Sequence, residues 1–368
     1  MFAYARFLAA YPIAAVTTAG ILMGGPWMWL GAITIYLLLV PGEHFLGDDL
    51  SEPDYRHPRV LDALLYLALP VMLAASAAYA WMLATSSATS LTGYLGGAIS
   101  LGLLYASLGT NVGHELTHRV RDPRALAVGR WLLAFTADAE FSIEHVYGHH
   151  ARLATREDPA TARRGENFYA FLLRSIPGQT RSAWKLESAR LARRGLPLWS
   201  RHNLMLRGWL MTGAIAAGFT LAAGGRGLAG FAVAALFGRT VLEAVNYFEH
   251  YGLVREPGTP VKPRHSWNSN KSLSNALLFN LARHSHHHAD GGAPYWRLRS
   301  MPEAPALPFG YVTSMLLVYL APGFYRNRMN PLLLDWDRRH ATRAEHALAR
   351  DASRLSGVPA LVRAASMY

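Results

Sequence analysis

Long apolar stretches alternate with polar, arginine-rich segments along this chain. Four of the apolar stretches are close to the roughly 20 residues that an α-helix needs to cross a bilayer. Two shorter ones at the N-terminal end are separated only by Gly24, Gly25 and Pro26. We therefore predict six transmembrane helices, paired as three hairpins. Their approximate ranges are 7–24, 26–41, 60–84, 91–112, 205–223 and 228–248.

Basic residues lie almost entirely outside the predicted hairpin tips, which fall near residue 25 and at 85–90 and 224–227. These tips contain a single base, Arg226. Because positively charged loops stay on the cytoplasmic side, the remaining loops and both termini are predicted to face the cytoplasm, in the inner membrane.

The segments outside the spans carry short helical patterns. The predicted fold is therefore all-α: one integral membrane domain, 1–368, with six transmembrane helices and a helical, histidine-rich cytoplasmic cap. The cap comprises about 113–204 and 249–368, together with 41–59. The run 307–321 is apolar but short, and we expect an interfacial or re-entrant helix there, because a full span would carry the basic C-terminus across the membrane.

The amino-acid composition restricts the classes of function that the protein can have. Hydrophobic residues make up 51% of the chain and charged residues 16%, an unusual balance for a soluble protein. The formal charge of +12 fits topology and contact with anionic membrane lipid, so no nucleic-acid partner is expected. The chain has no cysteine, which excludes disulfides, iron–sulfur ligation and thiolate zinc sites. Any bound metal must therefore be held by nitrogen and oxygen atoms.

Ten of the 16 histidines fall in four short motifs, all on the predicted cytoplasmic side, and nine of them are the candidate metal ligands. The motifs are HELTH (114–118), EHVYGHH (144–150), NYFEHYG (246–252) and RHSHHH (283–288). The i, i+4 spacing in HELTH places two imidazoles on one helix face. The second and fourth motifs each present one histidine and an adjacent pair about one turn away. Nine imidazoles suffice for two metals, but imidazole suits iron, copper and zinc alike.

Two other functions fit part of this pattern. HELTH alone matches the zinc-metalloprotease motif, with Glu115 as general base, but seven histidines would then be unexplained. A membrane metal transporter also binds ions through histidines, although its ligands should lie near mid-bilayer rather than at span ends. The lone histidines are interpreted as surface or hydrogen-bonding residues: His44, His57, His202, His265, His340 and His346.

The four motifs resemble the histidine boxes of the membrane alkane hydroxylase family, within the membrane fatty acid desaturase-like superfamily. The linking segments GDDLSEP, ATREDPATARRGENF and LRSMPEAPALPFGY are similar as well, so the resemblance covers most of 47–331. GGPWMWLGA, NYFEHYGLVR and LLDWDRRHATRAEHALA are also similar to xylene monooxygenase, a methyl-aromatic relative.

The resemblance implies two non-haem iron ions, O2 as co-substrate, and electrons from a rubredoxin or ferredoxin-type donor with its reductase. The implied reaction hydroxylates a terminal or benzylic C–H bond of a hydrophobic substrate, an n-alkane or an alkyl-aromatic. A fatty acyl desaturase or hydroxylase with the same centre is the alternative. His286 stands where the family usually has aspartate and is not expected to bind metal. The implied metal ligands are His114, His118, His145, His149, His150, His250, His284, His287 and His288.

Carboxylates near the boxes are candidates to orient the imidazoles by accepting their free N–H groups. Inside the sixth predicted span, Arg239 and Glu243 lie four residues apart and are expected to form an ion pair, since charges in a membrane need a partner. The candidate carboxylates are Glu115, Glu144, Glu249 and Asp290.

Two further groups of residues allow two interpretations each. Four glycines on the fourth predicted span either leave room for a substrate channel or permit close helix packing. Four arginines after the second box either form a docking face for the electron donor or contact lipid. The glycines are Gly96, Gly97, Gly102 and Gly109, and the arginines are Arg152, Arg156, Arg163 and Arg164.

Overall fold

The structure is a computed structural model that describes residues 2–86 and 89–366. Over these residues the chain forms helices and two isolated β-bridges, without a β-strand. Five of the described helices are long and apolar enough to cross a membrane. The all-α prediction is confirmed, and the apolar helices fit an integral membrane protein. The five helices are Arg6–Met23, Gly25–Phe45, Pro58–Thr85, Leu91–His118 and Leu204–His250.

The first two long helices are separated by Gly24, as the sequence predicts. Gly24 and Gly25 both have positive φ angles, 70° and 56°, which glycine adopts without strain. The predicted tip at 85–90 includes Ser87 and Ala88, which lie outside the described residues. The fourth helix extends beyond its predicted end at residue 112 and carries the whole HELTH motif to His118.

The helix Leu204–His250 contains a break at Ala223 and Gly224, whose backbone angles are not helical. Across this break the rings of Phe219 and Phe231 stack with their centroids 5.4 Å apart. In a straight helix the rise of about 1.5 Å per residue would place these two residues roughly 18 Å apart. The chain therefore reverses direction at Gly224, within the predicted hairpin tip.

The remaining helices form the histidine-bearing cap and the C-terminal part of the chain. Two of the long helices and the second histidine motif contain π-helical turns, at Thr34–Leu39, Tyr105–Thr110 and His145–His149. The other helices are Phe2–Ala5, Pro123–Ala134, Phe141–Glu144, His150–Arg152, Phe168–Arg193, Pro263–His265, Ser272–Leu277, His284–Ala289, Tyr295–Arg297, Tyr311–Leu320, Pro322–Arg339, Arg343–Arg354 and Pro359–Ser366.

Glycines let the fourth long helix approach its neighbouring helices closely. A Cβ atom on Gly102 would lie 2.6 Å from the carbonyl oxygen of Ala234, and one on Gly96 would lie 2.6 Å from the ring of Trp29. Gly97 and Gly109 are equally crowded, by Tyr79 and Met72. All four glycines singled out in the sequence therefore serve close packing.

The short apolar helix Tyr311–Leu320 occupies the stretch predicted to be interfacial or re-entrant. Its first N–H groups are capped by a residue far away in sequence: Glu43 accepts hydrogen bonds from the backbone N–H groups of Val312 and Thr313, both at 2.9 Å. Ser274 also donates to Glu43. A carboxylate at a helix N-terminus satisfies unpaired donors and favours the helix dipole. Glu43 thereby fixes the start of this helix.

Hydrogen bonds from Arg164 connect the C-terminal helices to the cap. Its guanidinium donates to both carboxylate oxygens of Asp337, at 2.8 and 2.6 Å, and to Ser353 at 2.8 Å. Its Nε donates to the carbonyl of Gly252 at 2.9 Å. The side chain is fully buried, so the interpretation of Arg164 as a docking residue is wrong. Through these four hydrogen bonds, Arg164 holds the C-terminal helices against the cap inside the protein.

Candidate metal centre

The structure brings all nine candidate histidines together in two adjacent groups. The ligand nitrogens of the five-histidine group all lie within 4.8 Å of one another, as they would around a common ion. The five-histidine group contains His114, His118, His145, His150 and His287. The four-histidine group joins two overlapping sets that share His250: His149 and His288 in one, and His284 with Glu249 in the other. Nε2 of His284 lies 3.3 Å from that of His250 and 2.9 Å from that of His288.

The five-histidine group draws on three of the four motifs. Nε2 of His114 lies 3.1 Å from that of His118 and 3.0 Å from that of His287. Nε2 of His150 lies 3.1 Å from that of His145 and 3.2 Å from that of His287. His114 and His118 share a helix face, as the i, i+4 spacing predicts. The HELTH motif thus contributes both of its imidazoles to one group.

A π-helical turn determines how the second motif contributes. In the turn His145–His149, more residues are needed per revolution than in an α-helix. His145 and His150, five residues apart, consequently meet in the five-histidine group, whereas His149 points to the four-histidine group. The adjacent pair seen in the sequence is therefore divided between the two groups.

The fourth motif is divided in the same way. His284 and His288 contribute to the four-histidine group, with their Nε2 atoms 2.9 Å apart. His287 contributes to the five-histidine group, and His286, which was not expected to bind metal, lies outside both groups. The short helix His284–Ala289 therefore faces both groups, as the second motif does.

His149 is oriented by a buried carboxylate that the sequence analysis did not single out. Nδ1 of His149 lies 2.9 Å from Oδ2 of Asp158, which also accepts from the hydroxyl of Thr161 at 2.6 Å. Such a contact fixes the imidazole and directs Nε2 toward a metal. The only signal in the sequence was that Asp158 belongs to the segment ATREDPATARRGENF, which is similar to the family.

The predicted orienting carboxylates take other partners. Glu115 pairs with Arg119 at 3.2 Å and Glu144 with Arg152 at 2.9 Å, so in neither case does the carboxylate serve an imidazole as expected. Asp290 is exposed. The reason for the difference is that an arginine lies within reach of each buried glutamate and compensates its charge more directly than an imidazole N–H.

Glu249 is the exception among these carboxylates. Its Oε2 lies 3.1 Å from Nε2 of His284 and 4.0 Å from Nε2 of His250. These are the nitrogens that converge on the four-histidine group, so the carboxylate lies beside the candidate metal position and not behind an imidazole. Its other oxygen, Oε1, accepts a hydrogen bond from the hydroxyl of Tyr311 at 2.6 Å.

Electrostatics keeps most of these imidazoles in the form that binds metal. Burial, reinforced by neighbouring imidazoles, holds the pKa well below its usual value for five of them, so they are neutral at physiological pH. Burial acts in the same direction on the pKa of His149, but the Asp158 carboxylate outweighs it and raises that pKa. The five are His145, His150, His284, His287 and His288.

The donor set fits a non-haem metal centre. Nε2 of His149 is buried and has no hydrogen-bond partner among the described residues, which is costly unless an ion occupies the space in front of it. Nitrogen donors with a nearby carboxylate suit iron as well as other first-row metals.

The predicted ion pair inside the last long helix does not form. Arg239 pairs instead with Asp138 at 3.2 Å and Glu140 at 3.0 Å. Glu243 accepts a hydrogen bond from Gln179 at 2.7 Å. The i, i+4 spacing allows contact between Arg239 and Glu243, but two acidic residues on the neighbouring segment give the guanidinium better partners.

Tyr311 lines an apolar cavity of about 80 Å³ that is partly open to the surroundings. Val241 and Val245 line it and lie on the same helix face as Glu249, at intervals of four residues. The hydroxyl of Tyr311 is the link between the cavity wall and Glu249. Other lining residues include Ala10, Ile35, Leu103 and Met315.

Comparisons with known proteins agree with this arrangement. Residues 89–317 match the family model described as fatty acid desaturase. Alkane 1-monooxygenase of Pseudomonas putida is 37% identical over 324 residues, covering 84% of this chain and 77% of its own. Alkane 1-monooxygenase 1 of Alcanivorax borkumensis is 37% identical over 326 residues, covering 84% and 79%.

The hydroxylase component of a xylene/toluene monooxygenase from Pseudomonas putida is 32% identical over 359 residues, covering 95% of each chain. The resemblance predicted from the four histidine motifs is thus confirmed. The chain belongs to the fatty acid desaturase family and, within it, to the alkane 1-monooxygenase group, and it is an oxidoreductase of the membrane.

Proposed function

We propose that this protein is a membrane non-haem di-iron monooxygenase that hydroxylates a terminal or benzylic C–H bond of a hydrocarbon. The observation that carries the proposal is the convergence of nine imidazoles in two groups beside an apolar cavity. The relatives named alkane 1-monooxygenase and xylene/toluene monooxygenase favour an n-alkane or an alkyl-aromatic as substrate.

The five-histidine group would hold one iron and the four-histidine group the other. Bound iron supplies O2 activation and the oxidation of an unactivated C–H bond, which protein side chains cannot perform. The chain itself holds the imidazoles in place: Asp158 fixes the ring of His149. Arg255, which donates to the carbonyls of Leu153 and Ala151, anchors the loop that follows the second motif.

The cavity determines how a substrate would be presented. Its walls are almost wholly aliphatic, so an alkyl chain gains free energy by leaving its water contacts. Since the cavity lies between apolar helices, such a substrate can arrive from the lipid. One end of the chain would then lie toward Tyr311 and Glu249, and water would be largely excluded from that end.

We further propose six membrane crossings, with the last long helix crossing twice because the chain reverses at Gly224. The spans would follow the predicted ranges within a single domain, 1–368. Both termini and the metal centre would face the cytoplasm at the inner membrane. The support is that the basic residues lie away from the predicted tips, apart from Arg226.

Electrons must come from a partner, because the chain has no cysteine with which to build a redox centre of its own. A rubredoxin or ferredoxin-type protein with its reductase would dock on the cytoplasmic side. Of the four arginines considered for docking, Arg156 and Arg163 are exposed. Arg152 is occupied by Glu144, and Arg164 is buried.

The test combines metal analysis with turnover. Protein purified in detergent should contain two irons per chain and, with added rubredoxin and reductase, convert octane or toluene to an alcohol. The match to the fatty acid desaturase model favours one alternative, the desaturation or hydroxylation of an acyl chain. An alkene in an acyl chain, without alcohol from octane or toluene, would establish that alternative. Active protein free of iron would refute both.

A further inference from the structure

Glu249 differs from most other buried acids of this protein in lacking a cation. Glu144 pairs with Arg152, and Glu187 pairs with Arg190 at 2.6 Å. Glu43 instead accepts two backbone N–H groups. Among the described residues, no arginine or lysine forms an ion pair with Glu249, although the residue is 1% exposed. Buried carboxylates are normally paired or bound to metal.

The distances around Glu249 match those of a coordination sphere. Two donor atoms each about 2.1 Å from one ion, at a right angle, are about 3 Å apart. Oε2 of Glu249 lies 3.1 Å from Nε2 of His284, which in turn lies 2.9 Å from Nε2 of His288. Oε2 also lies 4.0 Å from Nε2 of His250. One ion can therefore contact the carboxylate and the imidazoles of His250 and His284.

Tyr311 fixes the direction of this carboxylate. Its hydroxyl donates to Oε1 at 2.6 Å, which leaves Oε2 to face the imidazoles. The tyrosine is itself held in place, because its backbone N–H donates to Ser274 at 3.2 Å and Glu43 caps the two N–H groups that follow. The same ring lines the apolar cavity. Tyr311 thus separates the cavity from the four-histidine group.

We propose that Glu249 is an oxygen ligand of the metal in the four-histidine group, and that Tyr311 is a positioning residue that holds this carboxylate between the metal and the apolar cavity. The inference rests on the proposed function for the presence of iron and for the use of the cavity. It adds that the substrate C–H bond is presented to the four-histidine group and not to the five-histidine group.

The experiment measures metal binding and needs neither O2 nor substrate. Metal-free protein in detergent is titrated with Co²⁺, whose visible absorption reports the donor atoms and their number. The variants are Glu249→Gln and Tyr311→Phe. Tyr319→Phe is the matched control, because Tyr319 lies on the same helix and its hydroxyl bonds to Thr240 at 2.7 Å, outside the metal groups.

Wild-type protein should bind two Co²⁺ ions. Glu249→Gln should bind the ion of the four-histidine group about 100-fold more weakly and with an altered spectrum. Tyr311→Phe should lower the affinity for that ion about 10-fold, and Tyr319→Phe should change the affinity less than about two-fold. The ion in the five-histidine group serves as the internal check that each variant is folded.

The proposal is overturned if Glu249→Gln binds both ions with the wild-type affinity and spectrum. In that case Glu249 would only accept an N–H from His284. If Glu249→Gln binds no cobalt at all, the test depends on Tyr311→Phe. A Co²⁺ spectrum of Tyr311→Phe that is identical to that of Tyr319→Phe then overturns the proposal. Failure of the proposed function would appear separately, as normal cobalt binding without hydrocarbon turnover.

Discussion

The two histidine groups use the same ligand in different surroundings. In the five-histidine group, His118 and His150 are partly exposed, and Gly291 lies against both imidazoles. In the four-histidine group every imidazole is buried, two carboxylates lie nearby, and the apolar cavity ends beside it. The five-histidine group is thus the more exposed of the two, and the four-histidine group adjoins the apolar cavity.

The largest expected effect comes from removing one imidazole from each group in turn. His288→Ala should release the metal of the four-histidine group, leave one metal per chain, and abolish hydroxylation. His287→Ala should release the metal of the five-histidine group and keep that of the four-histidine group. It should also abolish hydroxylation. Metal content and alcohol formation are the measurements.

His286→Ala is the control, since this residue belongs to the same motif but to neither group; it should keep both metals. If His288→Ala and His287→Ala each released both metals, the two groups would not be separable sites.

A smaller effect is expected from the carboxylate that serves only the four-histidine group. Asp158→Asn keeps the shape of the side chain but removes the charge that orients His149. We expect the affinity for the second metal to fall about 10- to 100-fold, as is usual for residues that orient a ligand. The affinity of the five-histidine group should not change.

Equilibrium titration with Co²⁺ measures both affinities. Asp290→Asn, an exposed acid after the fourth motif, is the control. If Asp158→Asn lowered the Co²⁺ affinity of both groups equally, the carboxylate would not act on the four-histidine group alone.

The smallest effect concerns the cavity. Val241→Phe should narrow it and lower kcat/KM for longer alkanes about 10-fold relative to shorter ones, while both metals stay bound. Leu236→Phe, on the same helix but 61% exposed, should leave this preference unchanged. The measurement is the ratio of alcohol products when alkanes of different length compete. If this ratio is unchanged in Val241→Phe, the cavity does not bind the substrate.

Features that depend on local spacing could be predicted from the sequence. The i, i+4 pair His114 and His118, the glycine-marked reversals and the long apolar helices all follow from a single segment. The list of nine histidines needed the family resemblance in addition, because spacing alone did not say which of His286, His287 and His288 would turn inward.

Features that depend on distant segments meeting could not be predicted. Arg164 was interpreted as a surface residue, yet its partner Asp337 lies 173 positions away. Tyr311 and Glu43 carried no local signal, since their roles appear only where a short helix packs beside the metal groups. The pairing of Arg239 with Asp138 and Glu140 likewise depends on a neighbour that helix periodicity cannot identify.

The π-helical turn at His145–His149 has a consequence for the distance between the two histidine groups. Since this turn and the helix His284–Ala289 each supply imidazoles to both groups, two short pieces of backbone set the separation of the groups. Deleting one residue from the turn would rotate His150 away from His145 and misalign both coordination spheres at once. The two histidine groups are therefore coupled through shared backbone, so that neither can change its geometry without affecting the other.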